Sequence, residues 1–477
     1  MTVDCSVMWN LECFADNIAL QDEYDHVLTY ADLSSGCDRV FANINRRCLV
    51  FLLCTNSIGS IIGYTSFVNN SVVPVMLNAE LEPELLKSLI ELYKPAYIWL
   101  PDAKKEELTG FDDVFTEWEY TLVKTAFDTE YPLFDELCLL LTTSGSTGSP
   151  KLVRQSFRNV EANARSISEY LGLGSDERPI TTLPMNYTYG LSIINSHLMV
   201  GARILVTDKG IMQKDFWQFF KSAEATSFGG VPYTYEMLNK LRFFRMDLPA
   251  LRYMTQAGGK LSTDLHAKFA EYAETTGKKF IVMYGQCEAT ARMGYLPAEY
   301  STSKVGSMGI AIPGGKFSLI DTEGNVIETP RVAGELIYEG DNVTLGYAQK
   351  GEDLILGDER HGVLQTGDIA EFDEDGFYYI VGRKKRFLKI FGNRVNLDET
   401  ERMIKNQFQG NEVACAGIDD LMYIFDVDES LNDDIRAFIA AKTGLNQAAF
   451  KVITIESIPK NDSGKTLYRG LEKYYDV

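Results

Sequence analysis

Leu140-Leu141-Thr142-Thr143-Ser144-Gly145-Ser146-Thr147-Gly148-Ser149-Pro150-Lys151 is the stretch on which the reading of this chain turns. It begins as the end of an apolar run, Leu137–Thr142, which reads as a strand buried inside a sheet. It then breaks into hydroxyls and glycines. Glycine lets the backbone turn tightly, and the N–H groups and hydroxyls of Thr143, Ser144, Gly145, Ser146, Thr147 and Gly148 can wrap an anionic phosphate chain. Lys151 adds a point charge. The run lacks the Gly-Lys-Ser/Thr ending of a Walker A loop. Placed between a strand and a helix, it is expected to use the anion-binding logic of a helix terminus. The bland alternative is a plain connecting loop.

Working outward, short apolar runs alternate with amphipathic stretches from about residue 48 to residue 285. Expected strands are Cys48–Cys54, Val72–Leu77, Ala96–Leu100, Leu137–Thr142, Ile180–Leu183, Arg203–Val206, Thr226–Gly229 and Phe280–Met283. Expected helices among them include Pro83–Leu92, Phe216–Ala223, Tyr233–Arg242 and Thr263–Ala273. Such alternation is the signature of doubly wound parallel sheets, an α/β fold. From Val305 to Val381 glycine-punctuated short strands predict a small antiparallel barrel or sheet, and the α/β pattern returns after Gly382. The expected division is therefore a large N-terminal domain over 1–381, a hinge over 382–385 and a small mobile C-terminal domain over 386–477.

Composition narrows the function classes. A chain of 477 residues exceeds what one core usually spans. Its net charge of -21 argues against nonspecific binding to nucleic acid or to anionic membranes, so a nucleotide site must gather positive charge locally. The most apolar stretch, Leu49 to Met76, is interrupted by polar triplets, against a span of roughly 20 apolar residues. The N-terminus carries no secretory pattern, and a cytoplasmic location is expected. The eight cysteines and four histidines match neither a zinc site nor a disulfide framework.

Further motifs follow in order: Tyr284-Gly285-Gln286-Cys287-Glu288, Gly334-Glu335-Leu336, Gly346-Tyr347, Thr366-Gly367-Asp368, Gly382-Arg383 with Lys389, Gly392, Arg394 and Val395, and Pro459-Lys460 with Gly464, Lys465 and Arg469. With the glycine loop, this set resembles the signature of the adenylate-forming superfamily: acyl-CoA synthetases, amino-acid adenylation domains and firefly luciferase. The resemblance spans nearly the whole chain. It implies that Mg·ATP and a carboxylic acid give an acyl-adenylate and pyrophosphate, after which a thiol takes the acyl group. The thiol is expected to be CoA; the alternative is the phosphopantetheine arm of an acyl carrier protein. Joining two anions makes such catalysis mostly positioning and charge neutralisation.

The resemblance also implies roles. Lys465 bridges the acid and the α-phosphate, Glu288 holds Mg²⁺, Asp368 accepts from the ribose hydroxyls, and Arg383 contacts ribose or phosphate. Adenine is expected between Ala257-Gly258-Gly259 and Tyr284, with Gly285, Gln286 and Cys287 alongside. Lys385 would be the pivot of the hinge, although Arg-Lys-Lys-Arg out of context reads as a nucleic-acid patch. Gly392 would flank the pantetheine tunnel. The acid pocket is expected around Asn186–Tyr189, Thr226–Pro232 (with Gly229 and Gly230) and Gln256–Lys260.

Departures from the pattern matter as much. Cys287 replaces a threonine, weakening a hydroxyl contact to phosphate. Tyr187 stands where many acyl-CoA synthetases have histidine and is expected to gate the pocket. Thr188 stands where amino-acid adenylation domains place an aspartate, which disfavours an ordinary α-amino acid because its ammonium would lack a partner. A non-catalytic nucleotide-binding protein on this fold is the competing class, opposed by the joint presence of Lys465, Glu288, Asp368 and Arg383. A luciferase-like oxygenase has no feature in its favour.

Overall fold

A computed structural model describes residues 8–107, 110–127, 131–142, 151–384, 386–390, 393–408, 410–418, 420–461 and 464–475. Two compact units result: residues 1–316 with 339–364, and residues 317–338 with 365–477.

In the first unit the strands are β1 (Ile18–Asp22), β2 (Val27–Thr29), β3 (Leu49–Cys54), β4 (Val73–Asn78), β5 (Tyr97–Pro101), β6 (Asp112–Glu117), β7 (Tyr120–Lys124), β8 (Leu137–Thr142), β9 (Leu152–Ser156), β10 (Pro179–Ile180), β11 (Ile204–Val206), β12 (Ser227–Gly230), β13 (Tyr253–Gln256), β14 (Lys279–Tyr284), β15 (Gly294–Tyr295) and β16 (Ile310–Ala311). The helices are α1 (Tyr30–Ala42), α2 (Ile58–Asn69), α3 (Pro83–Tyr93), α4 (Phe157–Leu171), α5 (Thr188–Met199), α6 (Lys214–Ser222), α7 (Pro232–Lys240) and α8 (Thr263–Thr275). Strands β17 (Gly315–Ile320), β18 (Gly334–Gly340) and β19 (Gly346–Ala348) follow. One sheet has the order β16-β15-β14-β13-β12-β10-β11-β1-β2, and a second runs β19-β9-β8-β4-β3-β5-β7-β6. The central pairs β3·β4, β3·β5, β4·β8, β12·β13 and β13·β14 are parallel, as the alternation of strand and helix requires.

Period two explains the packing of β3. Val50, Leu52 and Cys54 join the core built around α1, α2 and part of α5, while Leu49, Phe51 and Leu53 join the core around α3. Helices α2 and α5 are apolar almost all round and buried along nearly their whole length. Tyr64 of α2 donates to Asn195 Oδ1 of α5 at 2.9 Å. Close approach is bought at Gly63, where a Cβ would come within 2.2 Å of Trp99 Nε1. Helix α4 starts on a reciprocal cap between Ser156 and Asn159 and stops at Gly172, whose φ is +65°.

One expectation is corrected. The glycine segment does not lead from strand to helix. Strands β8 and β9 pair antiparallel up to Thr142 and Leu152, so the segment joins neighbouring strands, and α4 begins only at Phe157. The helix-terminus argument therefore does not apply to it. The expected strand over Ile180–Leu183 stops at Ile180, just before Pro184 and a turn closed by the bond from Tyr187 N–H to the Pro184 carbonyl.

The remaining strands are β20 (Val363–Phe372), β21 (Tyr378–Arg383), β22 (Phe387–Ile390), β23 (Asn393–Asn396), β24 (Val413–Ile418), β25 (Leu421–Asp426) and β26 (Phe450–Thr454), with α9 (Leu397–Gln407) and α10 (Asn432–Thr443). The segment expected to form a small barrel or sheet is the four-stranded sheet β17-β18-β20-β21. Beyond it lie the hairpin β22·β23 and the three-stranded sheet β24-β25-β26. Arg386 ties this region together. It pairs with Asp398 at 2.7 Å and Glu401 at 2.5 Å, donates to the Cys415 carbonyl and lies over the Tyr468 ring. Among the described residues no helix is long and apolar enough to cross a membrane.

Candidate functional site

Glu288 is the best-held of the expected residues in the first unit. It lies in a short 3₁₀ turn, Cys287–Ala289, after the end of β14. Its peptide carbonyl accepts from the Thr344 N–H, the Thr344 hydroxyl and Arg360 Nη1, all at 3.0 Å. Thr290 follows the turn with φ +65° and ψ −38°, the centre of a tight three-residue turn closed by the Ala291 N–H on the Ala289 carbonyl at 2.7 Å, a positive-φ conformation that costs a β-branched residue free energy. That strain is held in place by two contacts. The Thr290 hydroxyl donates to the Asn342 carbonyl at 2.7 Å, and its own carbonyl accepts from the Thr188 hydroxyl. Gly285 is required because a Cβ there would fall 1.7 Å from the Ala291 carbonyl oxygen.

Tyr347, quoted in the motifs without a role, joins the two charged ends of this site. It lies on β19 opposite Val153 of β9. Its hydroxyl donates to Glu288 Oε1 at 2.7 Å, and Lys151 Nζ sits 3.3 Å from the centre of its ring. The Arg360 guanidinium is 4.6 Å from the same ring. Burial, then the neighbouring Glu288 charge, pushes the Tyr347 hydroxyl up, so it remains a donor. The lysine and the glutamate are 137 positions apart in the chain, and this ring brings them into one cluster. Sequence reasoning missed Tyr347, Thr344 and Arg360; the Gly346-Tyr347 motif was the signal for the first, and nothing marked the others.

The expected adenine and acid residues surround one another. Tyr187 Oη lies 2.6 Å from the place of a Gly258 Cβ, and Gly259 faces Pro232. Tyr284 is within 3.3 Å of Gln286 Nε2 through its hydroxyl. A Cβ at Gly229 would meet Tyr189 Oη and Ile193 Cδ1 at 2.9 Å, and one at Gly230 would meet Thr234 at 2.8 Å. Tyr189 Oη shares a hydrogen bond with Thr255 Oγ1 at 2.8 Å. Thr188 is buried and gives its hydroxyl to the strained turn, so it supports Glu288 from behind.

In the second unit, Asp368 and Arg383 are cross-strand partners on β20 and β21, and their side chains pair at 3.1 Å. Asp368 is buried and Arg383 half-exposed, which leaves the guanidinium the more accessible of the two. Lys465 lies in a tight turn where Asn461 caps its N–H through Oδ1 at 2.9 Å and donates to its carbonyl at 2.9 Å. Gly464, at φ +75°, makes that turn possible. Thr143, Ser144, Gly145, Ser146, Thr147, Gly148, Lys385 and Gly392 lie outside the described residues.

Residues 7–348 match the profile of the AMP-binding enzyme family. The chain belongs to that family. This AMP-binding enzyme is 28% identical over 358 residues to 2-succinylbenzoate--CoA ligase of Bacillus mycoides (strain KBAB4), covering 73% of this chain and 72% of the relative. The ligase of that name from Bacillus cereus (strain ATCC 10987 / NRS 248) is 28% identical over 349 residues, with 71% and 70% covered. Among solved structures, o-succinylbenzoate CoA synthetase from Bacillus subtilis in complex with the acyl-adenylate intermediate gives a TM-score of 0.76 at 22% identity, covering 96% of this chain and 95% of that one. ATP-bound MatB from Rhodopseudomonas palustris gives 0.79 at 21% identity and 99% coverage of both chains. These likenesses establish the fold of adenylate-forming enzymes.

Proposed function

We propose that this AMP-binding enzyme is an AMP-forming acid–CoA ligase. The observation that carries the reading is the Lys151–Tyr347–Glu288 cluster, a cation and a metal-binding type of carboxylate fixed together in a chain of this family. CoA as the acceptor is supported by relatives that are named CoA ligases. In the first step a carboxylate oxygen of the acid attacks the α-phosphorus of ATP, and the bond to pyrophosphate breaks. In the second, a thiol sulfur attacks the acyl carbon, loses its proton, and the bond to AMP breaks. Both steps gather negative charge, which Lys151, Lys465 and Arg383 would neutralise.

Glu288 fits a Mg²⁺ carried in with the nucleotide. Oε1 is fixed by Tyr347, and among the described residues Oε2 takes no hydrogen bond. A hard cation of this kind is held mainly by phosphate oxygens and water with few protein carboxylates. Mg²⁺ would neutralise the phosphates. Asp368 would hold the ribose, Gly258, Gly259 and Tyr284 the adenine, and residues 143–148 the phosphates. Lys385 within 382–385 would be the hinge, and Gly392 would leave room for pantetheine. The acidic composition argues against nonspecific binding to nucleic acid.

ATP–pyrophosphate exchange across a library of carboxylic acids tests the first step. Exchange that depends on one acid class is expected. Nucleotide binding with no exchange for any acid would favour the non-catalytic alternative. Presenting free CoA and a holo-carrier protein side by side then tests the acceptor; transfer to the carrier alone would overturn CoA.

A further inference from the structure

We infer that, within the ligase reading proposed above, Tyr468 is a positioning residue for Lys465. Its hydroxyl and its ring fix the arm that carries the lysine to the first residues beyond the expected hinge.

Lys465 belongs to a short hairpin. The Lys460·Thr466 bridge and the bond from the Leu467 N–H to the Pro459 carbonyl at 2.8 Å close its base. A two-stranded hairpin is marginally stable alone, so it takes its direction from whatever holds that base. Ile458 before it and Leu471 after it are buried in one apolar core with Ala414, Ala416 and Phe425. Apolar contact is non-directional. It keeps the base against β24 and β25 without setting the angle of the arm.

Tyr468, three residues beyond Lys465, supplies the directional contact. Its hydroxyl donates to Glu401 Oε2 at 3.1 Å, and the Arg386 guanidinium lies 3.6 Å from the centre of its ring. Burial, then the Glu401 charge, pushes the hydroxyl up, so it stays a donor. Both partners are themselves fixed. Glu401 is buried, and its other oxygen takes Arg386 Nη2 at 2.5 Å and the Cys415 N–H at 2.7 Å. Arg386 also holds Asp398 at 2.7 Å and the Cys415 carbonyl at 3.0 Å. This arginine directly follows the segment 382–385, so the end of the expected hinge, α9, β24 and the lysine arm meet at one ion pair. At no more than ~3.6 Å per residue, the chain keeps Lys465 within about 11 Å of the Tyr468 backbone. The charges of Arg386, Asp398 and Glu401 pair with one another without Tyr468, and Ile458 and Leu471 hold the segment folded. What the hydroxyl adds is the orientation of the arm.

The test follows the two half-reactions of the full-length enzyme separately: pyrophosphate exchange for adenylate formation, and thioester formation from supplied acyl-AMP. Tyr468→Phe keeps the ring over Arg386 and removes the bond to Glu401. Exchange should fall roughly tenfold to a hundredfold in kcat, the scale of a misplaced catalytic group, with KM for ATP and acid little changed. Thioester formation should stay near the wild-type rate, which also reports that the variant is folded. In a Lys465→Ala background the same substitution should cost the residual exchange nothing further, since no lysine remains to be aimed. An unchanged kcat in Tyr468→Phe, equal loss in both half-reactions, or a further loss in the Lys465→Ala background would overturn the inference and leave the ligase reading in place. Full exchange by Lys465→Ala would do the same. Silence of the wild type with every acid would end both.

Discussion

The Tyr347 ring holds Lys151 against one part of itself and Glu288 by its hydroxyl, so a single atom can be removed without disturbing the packing. Tyr347→Phe keeps the ring over which Lys151 sits and deletes the bond to the carboxylate. A hydrogen bond to a charged group contributes about 1.5–3 kcal/mol, so the Mg²⁺ concentration for half-maximal exchange should rise by roughly tenfold or more. The maximal rate at saturating Mg²⁺ should change little. A fall in maximal rate with an unchanged Mg²⁺ requirement would show that the hydroxyl serves something other than the glutamate. Lys465→Ala should nearly abolish adenylate formation while thioester formation from supplied acyl-AMP survives; equal loss in both half-reactions would remove its bridging role. At this scale the sequence pointed to candidate residues where they lie in a short local pattern such as Tyr284–Glu288, and the structure brings two of them, Lys151 and Glu288, to one tyrosine ring. It did not point to Arg360 or Thr344, whose contacts with Glu288 join residues far apart along the chain and leave no local spacing to read.

Elements meet through small residues placed where a side chain would collide. Gly63→Ala would set a methyl group 2.2 Å from Trp99 Nε1, which donates to the Gly59 carbonyl at 2.9 Å. Overpacking of this kind costs about 1–3 kcal/mol. The urea midpoint should fall accordingly, and an unchanged midpoint would show that the helix can slide away from the sheet. Central strands were legible to within a residue or two because they are continuously apolar, as in Leu49–Cys54. Helices α2 and α5 were not expected, since apolar residues all round erase the 3.6-residue period that marks an amphipathic helix. Strand β9 was missed for the opposite reason: Arg154 and Gln155 look like surface residues, yet both are buried.

Across the whole molecule, pH should act through buried imidazoles. His197 and His266 are each pushed by burial from an ordinary value near 6.5 down to about 4, and each donates to a carbonyl, Ile193 and Ser301 respectively. Below pH 6.5 the unfolded chain binds protons at these positions and the folded chain does not. Stability is therefore present above the unfolded value and is lost as pH falls toward 4, by at most about 1.4 kcal/mol per pH unit for each histidine. Urea midpoints at pH 7.5, 6 and 5 should show this slope, and His197→Gln should flatten it; an unaltered slope would mean that His197 is not its source. The two-sheet α/β plan was readable from strand–helix alternation, whereas the strand that completes one sheet edge was not. Strand β19 pairs with β9 only after almost two hundred intervening residues, and Arg154 finds Glu359 across a separation of 205. At about 5–20 residues per second, a ribosome takes roughly 10–40 s to deliver that partner. For that interval the nascent chain exposes an open strand edge and an unmatched guanidinium, so fragments that end before Gly346 should be the form that chaperones retain and that aggregates first.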